Sequence, residues 1–345
     1  MGETGVRVVA HARLHFGQID LHGGLGRRFG SIGVAVEAPQ IVLDATPAKV
    51  LHVEGHDVER VRHAVEQFAR ATGTPVGARI RVRHTIPAHV GLGSGTQLAM
   101  ATGLALARLA GRDVDVWHLA RLMRRGERSG IGIGAFALGG FLVDGGVPAS
   151  TPADEAPLPP LLFRHPFPPQ WWAVVAVPQG HQGISGTTED RAFASTPPMA
   201  PDAVGRICRL LVMQMLPALL EQDLRTFGAA LTEIQTMLGD YFATIQGGRF
   251  STPVGARLAV RMLEGGAAGV GQSSWGPTVY GLVEGEDAAR ALARSVAAAV
   301  PPGERVEVLT VRAANTGATC VPLAAQAAAG SGEPLPGDHP AGRPP

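Results

Sequence analysis

One stretch constrains this chain more than any other: Ile86-Pro-Ala-His-Val-Gly-Leu-Gly-Ser-Gly-Thr-Gln-Leu-Ala-Met100. A β-type run, Ala78–Arg83, leads into it, and an alanine-rich apolar run from Leu98 to Leu109 leaves it as a buried helix. Between the two stand Gly91, Gly93 and Gly95, with Ser94 and Thr96 among them. A Gly/Ser loop that opens a helix is an anion cradle. Glycine lets the backbone approach a phosphate, free N–H groups point at it, and the helix dipole favours negative charge. Glycines also serve plain turns, so the loop alone leaves phosphate binding and a structural turn both open. It is not of the Walker type, since no Lys-Ser/Thr follows, and it is not Gly-x-Gly-x-x-Gly.

The 345 residues hold two domains of ordinary size, and at 45% apolar residues the core needs no covalent staples. A formal net charge of +1 leaves no global basic field aimed at nucleic acid or an anionic membrane. Lys49 is the only lysine, so an anion site here must use arginine forks, backbone N–H groups and hydroxyls. Cys208 and Cys320 form no metal or disulfide pattern, and the first residues lack a signal-type apolar segment. No apolar run is read as reaching the ~20 residues of a bilayer span. These features lead to the expectation of a cytoplasmic enzyme or binding protein.

Val6–Leu14 and Ile32–Val36 read as strands around a glycine-rich loop, with further strands at 41–43, 50–53 and 78–84. Val58–Ala71 has helical spacing, and Asp115–Arg124 forms a short helix. Ser129–Gly146 is turn- and strand-like, and the Pro/Ala-rich stretch 148–160 reads as a linker. Beyond it come a strand at 171–177, a polar loop at 180–188, and helices at 204–220 and 223–237, the first ended or kinked by Pro217. A helix at 253–264, a glycine-rich turn and strand at 269–283, a helix at 287–300 and a strand at 306–311 close the pattern. The expected division is 1–150, 151–326 and a disordered tail at 327–345. Strands and helices mix without strict alternation, which indicates an α+β fold.

Three segments together resemble a known superfamily. Pro87-x-x-x-Gly91-Leu-Gly-Ser-Gly95 is similar to the central phosphate-binding motif of the GHMP kinases. Ala12-Arg-Leu-His-Phe-Gly17 and Gly269–Gly281 stand where that superfamily has its first and third motifs. Ala12–Leu21, Gly26–Gly33, Arg128–Phe136 and Gly271–Pro277 resemble one branch, the β-ribofuranosylaminobenzene 5′-phosphate synthases of tetrahydromethanopterin biosynthesis. The resemblance implies a ribosomal-protein-S5-domain-2-like N-terminal domain and a ferredoxin-like C-terminal domain. It also implies a cytoplasmic homodimer that uses Mg²⁺. Two departures from the kinases stand out. Gly132 follows Ser129-Gly130-Ile131 where the kinases carry their catalytic aspartate, and Gln18-Ile19 replaces their Glu-His. The kinase machinery is dismantled while the phosphate cradle remains, which leaves an ATP-dependent small-molecule kinase as the alternative reading.

The branch joins phosphoribosyl pyrophosphate to 4-aminobenzoate or 4-hydroxybenzoate and releases CO2 and pyrophosphate. The site must neutralise the leaving pyrophosphate, hold the ring against the anomeric carbon, and exclude water. Gly91, Gly93, Ser94, Gly95, Thr96 and Gln97 are the implied phosphate donors. Arg13, Arg27 and Arg28 are candidate clamps for phosphate or benzoate carboxylate, or plain surface arginines. Asp20 is read as a Mg²⁺ ligand, a ribose-hydroxyl partner or a turn residue. His15 faces the cleft or the core, and the resemblance implies Asp20, His15 and Ser129 as the catalytic candidates. Ser129, Gly130 and Ser31 are implied at the ligand, and Asp144 is a weaker candidate, more in keeping with a turn. Glu189 and Asp190 are placed to reach in from the second domain. Gln272, Ser273 and Ser274 offer hydrogen bonds, and Trp275 serves as a wall for the ring or as core packing.

Overall fold

The computed structural model describes residues 5–73, 76–152, 155–184 and 186–323; the tail expected at 327–345 and the side chain of Asp190 lie outside what is described. Two sheets organise the chain. The first contains β1 (Val6–Asp20), β2 (Arg27–Pro47), β3 (His52–Gly55), β4 (Ala78–His84), β5 (Phe141–Asp144), β6 (Val147–Pro148), β7 (Leu161–His165) and β12 (Thr319–Pro322), along the path β12-β1-β2-β4-β3. β5 and β6 pair with β2, and β7 pairs with β5. A cut at residue 150 therefore divides this sheet, because β7 and β12 return to it from the later half.

In β1, Val8, Ala10, Ala12, Leu14 and Phe16 are fully buried, the period-2 face of a half-buried strand. Strands expected at 32–36 and 41–43 are parts of one 21-residue strand, β2. Its antiparallel register with β1 runs from Val6↔Ala45 to Asp20↔Phe29 and slips between His11 and Ala12 and between His15 and Gly17. The second slip needs glycine: Gly17 has φ 127°, and a Cβ there would collide with Leu238.

α1 (Val58–Thr72), α2 (Ser94–Leu109) and α4 (Ile131–Ala137) pack with this sheet, and α3 (Val116–Leu122) packs on those helices. α2 is buried almost all round, as a helix lying between other layers must be. Within the turn-and-strand expectation for 129–146, the strand is present as β5 at 141–144, while α4 is a correction at 131–137. Its glycines permit close approach: a Cβ on Gly132 would lie 3.1 Å from Thr96, and one on Gly134 would lie 3.1 Å from Leu142.

The second sheet is antiparallel, in the order β11 (Val306–Arg312), β8 (Trp171–Pro178), β10 (Val279–Glu284), β9 (Gly269–Gln272). Counted along the chain this is 4-1-3-2, with helices between the first and second and between the third and fourth strands. That is the ferredoxin-like arrangement expected above. Its helices are α5 (Thr187–Ser195), α6 (Pro201–Leu210), α7 (Leu216–Glu221), α8 (Leu224–Gln246), α9 (Pro253–Glu264) and α10 (Glu286–Ala298).

Pro217 does not end the helix. A π-helical turn, Leu211–Met215, joins α6 to α7 where the proline ring would meet the carbonyl of Met213. The run Pro201–Glu221 is apolar and long enough to cross a bilayer, contrary to the sequence reading. Its buried stripe of Val204, Ile207, Leu211, Met215 and Leu219 nonetheless has the spacing of a helix packed on a protein core.

An aromatic cluster joins the two halves. Phe16 of β1 packs on Tyr280 of β10 at 5.2 Å, and Phe227 of α8 packs on Trp171 at 5.2 Å and Phe141 at 5.8 Å. Such contacts add specific geometry to large apolar burial.

Candidate active site

The glycine loop is folded as its composition demands. Gly91 and Gly93 have φ 89° and 82°, which glycine adopts without steric cost, and α2 opens at Ser94. The loop is also clamped. Arg13 of β1 donates from its guanidinium to the Gly91 carbonyl and from its backbone N–H to Leu92 (3.1 Å). Ser273 donates its hydroxyl to the same Gly91 carbonyl (2.6 Å) and accepts the His15 N–H (2.9 Å). Here the three glycine-containing segments of the sequence meet at one point. A Cβ on Gly91 would overlap the Ser273 carbonyl oxygen, and one on Gly276 would overlap that of Val90.

Beside this junction lies a cleft of ≈ 310 Å³. Five arginines line it, Arg13, Arg124, Arg125, Arg128 and Arg249, together with Thr96 at the start of α2 and Ser129. Trp275, Phe242, Phe250 and Leu238 supply its apolar lining. Trp275 is buried, packed on Phe242 at 4.4 Å and on Phe193 at 5.6 Å, and its indole N–H donates to Glu189 (3.0 Å). Glu189, brought by α5, also pairs with Arg128 at 2.7 Å. A network of Gln235, Gln246 and Gln272 backs the cleft: Gln235 accepts the Gln272 N–H and donates to the Phe16 carbonyl.

Burial sets the electrostatics. His15 is pushed down to about 3, first by desolvation and then by the Arg13 charge, so its imidazole is neutral. Its Nδ1 accepts the Gly17 N–H at 3.2 Å, which assigns the proton to Nε2. Burial lowers Arg13 to about 10, opposed by the Glu189 charge; it remains cationic at neutral pH. The side chain of Arg125 is largely desolvated, which lowers its pKa as well, and its Nε is buried without a partner.

Eight of the residues expected at the ligand line this cleft: Arg13, His15, Thr96, Ser129, Glu189, Gln272, Ser274 and Trp275. Others support it from behind. Ser273 holds the loop. Gln97 is fully buried and donates to the Gly132 carbonyl at 2.8 Å. Ser94 accepts from Arg60 at 3.1 Å, and Gly95 lies 3.9 Å from Arg60, measured from an added Cβ. Gly130 donates its N–H to buried Asp144 (2.8 Å), which lies opposite Ser31 across β2 and β5. Ser31 is fully buried and cannot touch a ligand in the cleft.

Asp20 and Arg28 lie outside the cleft. Asp20 accepts the N–H groups of His22 (2.7 Å) and Gly23 (2.8 Å), closing the β1–β2 turn. Arg28 is exposed and stacks on Phe29 at 4.9 Å, while Arg27 donates to the carbonyls of Gly145 and Gly146. Among the described residues, no group of three or more His, Cys, Asp or Glu side chains is placed to hold a metal. Both bonds go to one carboxylate oxygen, so Asp20 serves the turn, and it stands apart from the cleft in which a pyrophosphate-bound Mg²⁺ was expected.

Sequence reasoning missed Arg124, Arg125, Arg128, Phe242 and Phe250 as lining residues. The arginine signal was present, since Arg121, Arg124, Arg125 and Arg128 crowd eight positions just before Ser129. The two phenylalanines carried none, since they lie far along the chain on and beyond α8.

Comparison with known proteins places this geometry. The N-terminal domain of GHMP kinases matches residues 59–140 and the C-terminal domain of GHMP kinases matches 215–302. Among solved structures, a homoserine kinase from Cytophaga hutchinsonii superposes with a TM-score of 0.63 at 17% identity, covering 93% of this chain and 98% of that one. It shares the fold. The β-ribofuranosylphenol 5′-phosphate synthase of Methanothermobacter thermautotrophicus is 35% identical over 292 residues, spanning 79% of this chain and 87% of its own length. That of Archaeoglobus fulgidus is 35% identical over 288 residues, 81% of this chain and 88% of its own. With kinase-type domains, a kinase-type loop and a glycine at 132, the chain belongs to the β-ribofuranosylphenol 5′-phosphate synthase family of the GHMP kinase superfamily.

Proposed function

We propose that this chain is a decarboxylating phosphoribosyltransferase that joins phosphoribosyl pyrophosphate to a para-substituted benzoate and forms a C-riboside in tetrahydromethanopterin biosynthesis. The observation that carries the reading is the lining of the cleft, which brings several arginines and Thr96 at the start of α2 together with the aromatic rings of Trp275 and Phe242. The relatives' name specifies a phenol, so 4-hydroxybenzoate is the acceptor to test first.

The reaction balances without a general base. The C1′–O bond to pyrophosphate breaks, the carboxyl-bearing ring carbon attacks C1′, and the C–CO2 bond then returns its electron pair to the ring. Arg13, Arg124, Arg125 and Arg128 neutralise the departing pyrophosphate in a partly desolvated setting, where charge–charge attraction is stronger than in water. Trp275 and Phe242 hold the ring face, which fixes the approach to C1′ and keeps water from the cationic sugar. Neutral His15, with its proton on Nε2, supplies a hydrogen-bond donor to the cleft rather than a proton shuttle.

The kinase reading lacks its carboxylate. At position 132 an aspartate side chain would press on Thr96, whose Cγ2 is 3.1 Å from the Cβ position. The deciding assay supplies phosphoribosyl pyrophosphate with carboxyl-labelled 4-hydroxybenzoate or 4-aminobenzoate and counts labelled CO2. No release from either acceptor would overturn the proposal.

A further inference from the structure

A second cavity, of ≈ 260 Å³, lies between α1 and the end of α3. Its polar lining is His63, Gln67 and Arg70 of α1 with Arg124 and Arg125, and no carboxylate lines it. The cleft, by contrast, carries Glu127 and Glu189 among its arginines. Arg124 and Arg125 line both cavities, so the two spaces draw on the same pair of guanidiniums. The Arg70 guanidinium donates to Gln67 over a long 3.4 Å, and Nε of Arg125 is buried without a partner. Gln67 in turn donates to the Leu122 carbonyl at 2.8 Å, which ties α1 to the last turn of α3.

The backbone at Arg124 is unusual for a helix end. α3 closes with the Arg125 N–H on the Ala120 carbonyl (2.9 Å) and the Arg124 N–H on the Arg121 carbonyl (3.0 Å), a Schellman end that holds residue 124 in the left-handed region at φ 51°. α1 and α8 end on Gly73 and Gly247 in that region, whereas α3 has an arginine there. A cation near a helix C-terminus is favoured by the dipole, but Arg121 already supplies one in the last turn. The fold therefore keeps a long cationic side chain where two cavities meet, in a conformation that suits glycine better.

We propose that the second cavity is a binding site for a phosphate monoester, which shares Arg124 and Arg125 with the cleft and has His63, Gln67 and Arg70 to itself. Three guanidiniums with no opposing acid favour a dianion, and a phosphate monoester offers them more charge and more acceptor oxygens than a carboxylate does. This inference rests on reading the cleft as the pyrophosphate site. The donor sugar of that reading has two anionic ends, and the cleft accounts for the pyrophosphate alone. The second cavity supplies a place for the 5-phosphate, with the shared arginines serving both ends. The same chemistry would hold the phosphate of a separate sugar phosphate, whose binding would then be coupled to the cleft through those arginines.

Arg70→Ala tests the site without touching the cleft, since Arg70 is exposed and lines the second cavity only. Arg62→Ala is the charge control: it removes the same charge from α1 at an exposed residue that lines neither cavity. Calorimetry on the full chain, without acceptor, measures binding of ribose 5-phosphate and of inorganic pyrophosphate. Arg70→Ala should weaken ribose 5-phosphate by about fivefold or more and leave pyrophosphate within about twofold, while Arg62→Ala changes neither. Unchanged ribose 5-phosphate binding in Arg70→Ala, an equal loss of both ligands, or the same loss in Arg62→Ala would overturn the inference. Arg124→Gly should weaken both ligands and hold or raise the melting temperature; a lower melting temperature with unchanged binding would make Arg124 a helix cap and refute the sharing. The KM for phosphoribosyl pyrophosphate separates the two sources. A rise in Arg70→Ala that matches the loss for ribose 5-phosphate identifies the donor's own 5-phosphate, and an unaltered KM identifies a separate sugar phosphate. The CO2 assay is independent of the binding data. Label release with unaltered ribose 5-phosphate binding in Arg70→Ala sinks this inference alone, and weakened binding in that variant, with no label release from the unmodified chain, sinks the reaction alone.

Discussion

Asp144 is the buried acid whose behaviour tests the architecture behind the cleft most directly. It is 1% exposed at the end of β5. One carboxylate oxygen accepts the Gly130 N–H at 2.8 Å and the other accepts the Gly146 N–H at 2.9 Å. These donors favour the charged form, but desolvation outweighs them and pushes the carboxyl up to about 6 from an ordinary 3.8. The sign follows directly. Between the two values the native protein keeps a proton that the unfolded chain has lost, so this group's contribution to stability is complete below the lower value. It is lost as pH rises through the upper one, at about 1.4 kcal/mol per pH unit and about 3 kcal/mol in all. Asp144→Asn removes the titration and leaves one amide carbonyl to accept from one of the two N–H groups. Urea unfolding of both proteins from about pH 3.5 to about pH 6.5 isolates the group, since other titrations are common to the pair. The original protein should lose about 3 kcal/mol relative to the variant across that window. A difference that stays constant with pH would refute the claim that burial, rather than the two donors, governs this carboxyl.

Other outcomes follow from the same geometry. Gly91→Ala, forced into a positive φ and against the Ser273 carbonyl, should cost about 2–4 kcal/mol in urea unfolding; a change below about 0.5 kcal/mol would mean that the loop is not clamped as described. Trp275→Ala should raise the KM for the benzoate by about tenfold or more, while Trp275→Phe, which keeps a ring beside Phe242, should recover most of the loss. Equal effects of the two would show that the ring face is not the contact. Gly132→Asp should not create ATP-dependent phosphoryl transfer, measured as ADP release, and should lower the melting temperature because the new side chain meets Thr96.

Local chemistry explains what could be read in advance. The loop at 91–95 showed itself because only glycine tolerates those backbone angles, and the α2 run was apolar on every side. Trp275 and Glu189 were placed in the right neighbourhood, although nothing in their spacing foretold that they would touch each other. Asp20 and Arg28 misled for the opposite reason. An acid or an arginine near a glycine-rich loop looks the same in sequence whether it closes the turn or faces a ligand, and here each satisfied a local need first. α4 went unrecognised because glycine-rich segments are poor helices in isolation; this one forms because its glycines fit against Thr96 and Leu142. Phe242 and Phe250 became cleft walls through tertiary folding alone.

The return of β12 to the edge of β1 has a consequence for the order in which this protein can be made. Val6–Val9 pair with Thr319–Pro322, which follow them by more than three hundred residues. The first sheet therefore waits, with one edge of β1 open, until more than three hundred residues have been synthesised. Long-range pairing of this kind delays folding and leaves an unpaired edge available to other chains in the meantime. A chain truncated just before Thr319 keeps every residue that lines the cleft, yet loses the strand that covers that edge. Its foreseeable failure is aggregation during expression, with the residues of the cleft themselves intact.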